Sequence, residues 1–342
     1  MYKNHFKLHT LIIPILASLF NVFLIIYPQE VLAAAREGLL LWFNNILPSL
    51  LPFMIGINIL SGTGFIRFLS VLSAPVMNFL FKLPGAGGFA LLSGFTSGYP
   101  VGAKVITELR LRNEITKKEA QHLLGFCNNA GPLFIIGVVG TGMFGSASAG
   151  YCLWFAHIAA AFCVGFLLRI WKQNTETSFK KQNIFKQSLR EFHRFRHEQS
   201  ADFGKILSAS VANSMETITL IGGFVILFCV LIKILTVIGI LNAHFPLCYG
   251  LLSGVIESTN GVKALAAAGI RLKIALPAAA AIISFGGFSI HAQTVYFVRQ
   301  TDIKIGHYLA AKLLNAVLAA FFCSLLYPLF FAMKNQIITR TR

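Results

Sequence analysis

Hydrophobic segments broken in the same way in two halves of the chain constrain its fold more than any other feature. Residues 91–136, LLSGFTSGYPVGAKVITELRLRNEITKKEAQHLLGFCNNAGPLFII, are apolar enough for a bilayer, yet Gly, Pro, Ser, Thr and Asn interrupt them at two places. A lipid-facing helix gains nothing from such breaks, because backbone freed at membrane depth is tolerated only inside protein or beside a wet cavity. The pattern returns later: Leu251-Leu252-Ser253-Gly254 repeats Leu91-Leu92-Ser93-Gly94, and Gly261-Val262-Lys263 echoes Gly102-Ala103-Lys104. Paired broken segments in two halves of a membrane protein point to a binding site where the repeats meet.

Composition supports a membrane reading. Of 342 residues, 56% are hydrophobic and 12% charged, with a mean hydropathy of +0.71, values suited to an integral membrane protein. The net charge of +17 lies in short segments between apolar runs, which fits positive-inside topology better than nucleic-acid binding. Cys127, Cys152, Cys163, Cys229, Cys248 and Cys323 show no CxxC or metal-ligand spacing, so neither a disulfide framework nor a metal site is indicated.

Taken in order, residues 11–27 form an apolar run after Lys3 and Lys7. Ala33-Ala34-Ala35 offers a small-residue cleavage pattern, but the run is longer than most signal cores, so a retained first transmembrane helix is expected. Residues 1–38 are that helix and its connection, 39–170 a first repeat, 171–205 a basic linker, 206–333 a second repeat and 334–342 a basic tail. The first repeat holds a span at 39–60 kinked by Pro48 and Pro52, a short oblique helix at 66–81 and a hairpin at 89–109. A helix follows, opened by the capping box Thr116-Lys117-Lys118-Glu119, broken at Asn128-Asn129-Ala130-Gly131-Pro132 and resumed to about residue 144. A plain span at 151–170 closes it. The second repeat has a span at 206–235, a hairpin at 245–269 containing SGVIESTNGVK, a helix at 274–298 broken at SFGGFSIHAQ, and a span at 308–331. Span, hairpin, broken helix and span therefore occur twice.

With the N-terminus inside and both hairpins re-entrant, the first repeat runs outside to inside and the second inside to outside. Nineteen Lys/Arg then fall inside and six outside, the bias of a correct orientation. The expected fold is an all-α polytopic membrane protein of two inverted repeats with re-entrant hairpins and broken helices, in a bacterial cytoplasmic membrane. The linker is expected to be an amphipathic helix on the cytoplasmic surface, in contact with anionic lipid.

SGFTSGYPVGAK, NNAGPLFIIGVVGTGMF, ETITLIGGFVILF, SGVIESTNG and SFGGFSIHAQ resemble the YlbJ-type sporulation integral membrane proteins. That group belongs to the wider nucleoside recognition, or Gate-domain, group, related to concentrative nucleoside transporters and the membrane gate of ferrous-iron transporters. The resemblance covers roughly residues 39–331. It implies a membrane protein with two Gate-like repeats, often found in spore-forming bacteria, and does not name a solute.

Candidate chemistry concentrates at the breaks. Glu257, flanked by Ser258, Thr259 and Asn260 in the second hairpin, is a carboxylate at membrane depth, costly and by default functional. Its structural alternative is a bond to Lys263 or to a hairpin amide. Glu216 lies three residues after Asn213, so the two share a helix face; an interfacial position is its alternative. Lys104 and Lys263 are repeat-equivalent and could pair with these carboxylates or snorkel to the interface. Asn128, Asn129, Ser289, His291 and Gln293 line the helix breaks, where half-helix ends supply dipoles and free backbone groups. Ser93, Ser97 and Tyr99 read as packing and turn residues. Gly85-Ala86-Gly87-Gly88 lacks the GK[ST] of a phosphate loop, and no G-x-S-x-G elbow is present. No enzyme, cofactor or metal is indicated. The reading is passage or recognition of a small polar solute or ion, with membrane lipid as partner and a homo-oligomer left open. The rival is a non-transporting scaffold for spore envelope or cortex assembly.

Overall fold

The computed structural model describes residues 9–170, 184–198 and 202–340. The described residues are helical with turns and no strand. Helix α1 (His9–Ile26) leads into α2 (Pro28–Leu41), which continues through a π-helical turn, Trp42–Ile46, into α3 (Leu47–Gly62). The span expected from residue 39 thus begins at Pro28. The π turn sits where Pro48 demands it. Proline lacks an N–H, and its ring would press on the carbonyl four residues back; widening the turn, with Leu47 N–H donating to Trp42 O, carries the rod past it.

Helix α4 (Phe65–Phe81) precedes the first hairpin, α5 (Gly87–Thr96) and α6 (Val101–Leu111). The Thr116 capping box then starts α7 (Lys117–Cys127): Thr116 Oγ1 accepts from Glu119 N–H at 3.3 Å and Glu119 accepts from Thr116 N–H at 2.8 Å. After Pro132 the broken helix resumes as a π-helix, Leu133–Met143, followed by α8 (Ala147–Ile170). Within the basic linker, α9 (Ile184–Glu198) packs on α4, with Phe185 edge-on to Phe68; the rest of residues 171–201 lies outside the described residues.

The second series consists of α10 (Phe203–Val237), hairpin α11 (Pro246–Ile256) and α12 (Ser258–Ala267), broken helix α13 (Leu272–Phe285) and α14 (Gly287–Val298), then α15 (Ile305–Arg340). Among the described residues, five helical stretches are long and apolar enough to cross a membrane: Pro28–Gly62, Ala147–Ile170, Phe203–Val237, Leu272–Val298 and Ile305–Phe331.

Two pairs of spans pack side by side in opposite directions. Along α2–α3, Gly38 lies on Cys229, Trp42 donates to Ile218 O at 2.9 Å, Asn58 donates to Ser214 at 2.8 Å and Gly62 lies on Ile206. Numbers rise on one helix and fall on the other. The same holds for α8 and α15, where Cys152 meets Cys323 while Leu168 and Ala311 converge on Gly125. Hairpins and broken helices lie between these two antiparallel pairs.

Candidate functional site

Each hairpin tip is pressed against the helix break of its own repeat. In the first hairpin the turn Ser97–Pro100 places Gly98 at φ +82°, and a side chain there would stand 2.7 Å from Gly131 N. In the second, Gly287 of the break has φ +74°, and its Cβ would lie 2.8 Å from Gly254 O and 3.1 Å from Ser258 N. Only glycine permits both that conformation and that approach.

The second turn consists of Glu257 alone, in extended conformation between α11 and α12. Its carboxylate caps α12: Oε1 accepts from Thr259 N–H at 3.2 Å and Thr259 Oγ1 at 3.1 Å, and Oε2 from Asn260 N–H at 2.8 Å. A helix N-terminus offers unpaired amides and a positive dipole end, so a carboxylate only 2% exposed is held without a cation. Of its alternatives, the hairpin amides hold Glu257, whereas Lys263 is on the outer side of α12 with Glu37 Oε1 at 2.6 Å.

Both tips and both breaks border one cavity of about 30 Å³, roughly the liquid volume of one water. Its polar lining is Glu257, Ser258, Thr259, Gln293 and Tyr99, with backbone from Gly98, Ala130 and Gly131; apolar residues including Phe134 and Ile290 complete it. The Tyr99 hydroxyl lies near Ser258, without an aligned hydrogen bond to it.

Behind the cavity, buried polar side chains tie each break to the opposite repeat. Asn128 Nδ2 donates to Thr294 Oγ1 at 2.9 Å and to the Tyr308 hydroxyl at 3.2 Å, and that hydroxyl is 3.1 Å from His291 Nδ1. Lys312 Nζ donates to Asn129 Oδ1 at 3.3 Å. His157 Nε2 accepts from Ala130 N–H at 3.2 Å, which leaves Nδ1 as the donor to Ser284 Oγ at 2.6 Å. Gln293 Nε2 reaches Ser289 Oγ at 3.4 Å.

The sequence candidates separate accordingly. Asn128, Asn129, Ser258, Thr259, Ser289, His291 and Gln293 are buried at the centre with Glu257, and Asn260 is at the tip, its Nδ2 2.8 Å from Cys229 Sγ. Glu216 and Asn213 are on an exposed face of α10. Lys104 is half-buried and donates to Thr217 Oγ1 at 3.3 Å, near Glu216. Sequence reasoning did not single out Lys312, His157 or Tyr308. Lys312 carried a signal, as an ionisable residue within an apolar span; at 1% exposure it has no carboxylate within ion-pair reach among the described residues.

The Gate family, described as nucleoside recognition, matches residues 43–151, which include the first hairpin and the first helix break. The chain is 35% identical over 349 residues to the sporulation integral membrane protein YlbJ of Bacillus subtilis (strain 168), covering 96% of this chain and 86% of that protein. No solved structure matches the chain.

Proposed function

The chain belongs to the family of the sporulation integral membrane protein YlbJ, and on that premise we propose that it passes a small polar solute or ion across a bacterial membrane in support of spore formation. The carrying observation is convergence: four interruptions, far apart in sequence, border one cavity with Glu257, Gln293 and Tyr99 in its wall. Antiparallel packing of equivalent spans supports an inverted-repeat reading, in which two such halves exchange access to a shared centre. At about 30 Å³ the cavity admits a water or a small ion; a nucleoside-sized solute requires the tips to part.

A second reading has its own observation. Glu257 accepts three hydrogen bonds from its own hairpin, as in a structural cap, and a basic helix, α9, is docked beside α4. On this reading the protein is a scaffold for envelope assembly acting through its linker.

Heat-resistant spore counts in a Bacillus subtilis strain lacking its YlbJ relative separate the two. With this chain supplied, Gln293→Leu and Glu257→Gln are expected to lower the count at least about tenfold, while Glu257→Asp, which keeps both cap and charge, retains most of it at equal membrane abundance. If the central variants match the wild type and only Arg190→Glu with Arg194→Glu fails, transport is excluded in favour of the scaffold.

A further inference from the structure

Two clefts lie on the outer side of the second hairpin and share an ion pair in their walls. The larger, about 710 Å³, is lined by Arg36, Glu37, Asn44, Asn45 and Lys263 together with apolar residues including Leu40, Leu41 and Met143. The smaller, about 290 Å³, is lined by Glu37, Lys233, Tyr249, Ser253, Asn260 and Lys263. Glu37 and Lys263, in contact at 2.6 Å, line both, as do Ala33 and Ala267.

The clefts have a helical origin. On α12, Asn260, Lys263, Ala264 and Ala267 recur at the spacing of one face, and that face borders the smaller cleft. Ala33 and Ala34 of α2 stand opposite, so methyl groups line a space that longer side chains would fill. Arg36, Glu37, Lys233 and Lys263 all sit in or beside apolar helices. Charges there are costly unless water or a partner meets them, and the side chains of Lys263 and Glu37 remain 50% and 57% exposed although paired. Asn260 lines the smaller cleft, and its amide N–H donates to Glu257. Glu257, Ser258 and Thr259 line the central cavity on the other side of the tip. One helical turn, 257–260, therefore separates cleft from cavity.

We propose that these clefts are one water-filled vestibule leading to the central site, with Glu37–Lys263 as a latch across it and the first turn of α12 as the remaining barrier. Its role as an access route rests on the transport reading; its hydration does not. Positive-inside orientation puts Arg36 on the non-cytoplasmic side, so the vestibule opens there.

Cysteine labelling tests this independently of any solute. Ala264→Cys, in the full chain with Cys229→Ser and Cys248→Ser, is exposed to a membrane-impermeant trimethylammonium methanethiosulfonate in right-side-out and inside-out vesicles. Labelling is expected only from the face bearing Arg36. Glu37→Gln should speed it about two- to fivefold, the range set by a half-exposed ion pair. Ala33→Cys on the facing wall serves if Ala264→Cys does not accumulate. Reaction with a membrane-permeant maleimide alone means that lipid fills the cleft and overturns the proposal, as does labelling from the opposite face or a rate indifferent to Glu37→Gln. Labelling as expected with unimpaired sporulation by the Glu257 and Gln293 variants would leave the vestibule standing and remove transport.

Discussion

Lys312 and Glu257 show how differently one fold treats two buried charges. Glu257 is met by three hydrogen bonds from its own hairpin, whereas Lys312 is met by a single amide oxygen at 3.3 Å. A buried charge with one neutral partner costs stability that an apolar side chain of similar length does not. Lys312→Met is therefore expected to hold or raise the unfolding temperature in detergent while reducing spore yield; a fall in both would make Lys312 a structural residue. At the surface, Arg110 Nε and Nη2 donate to Asp302 at 3.0 and 3.2 Å, joining the last turn of α6 to the α14–α15 loop. The guanidinium holds the Asp302 carboxyl below its ordinary range. A depressed folded pKa means that the pair stabilises fully above the unfolded pKa and loses that contribution as pH falls through the folded one. Unfolding temperature measured from pH 7 down through the acid range should fall less steeply in Asp302→Asn than in the wild type.

At the scale of elements, the breaks and bulges are sites of close approach. Trp42 leaves the π turn to lie on Gly222 of α10, where an added Cβ would stand 2.7 Å from the indole ring, while the Cβ of adjacent Gly223 would meet nothing within 4 Å. Neighbouring glycines thus have opposite roles. Gly222→Ala should destabilise by about 1–3 kcal/mol through overpacking, and Gly223→Ala should be neutral or stabilising by up to about 1 kcal/mol through helix propensity. Thermal unfolding of the two variants side by side checks this; equal shifts would mean that Trp42 moves aside freely.

For the whole molecule, antiparallel packing of α2–α3 on α10 and of α8 on α15 has a topological consequence. The loops at 112–116 and 299–304 share one end of the bundle, through Arg110–Asp302 and Gln121–His307, and Glu37–Lys263 marks the other. Single cysteines at Asn113 and Asp302 are expected to label from the cytoplasmic side, and cysteines at Arg271 and Ser146 from the opposite side. Asn113 and Arg271 labelling from the same side would contradict a second half inverted on the first.

Much of this architecture is local chemistry and was legible in the chain. Apolar runs fix which segments enter the membrane, Pro48, Pro132, Gly98 and Gly286 fix where helices yield, and Thr116 with Glu119 fixes where α7 begins; each depends on neighbours within a turn or two. The order of elements was readable for the same reason. Partners were not. Whether Glu257 would meet Lys263 or its own amides, and whether Glu216 would face the centre or the outside of α10, depends on the rotation of one helix against another, which hydrophobicity on a chain apolar all round does not specify. Lys312 and His157 became central only because α15 and α8 pass behind both breaks. The sequence by itself determined an all-α membrane protein whose helices break at fixed points. Tertiary packing decided which polar groups meet at its centre, because in a membrane the bonds that remain to be chosen lie between helices rather than along them.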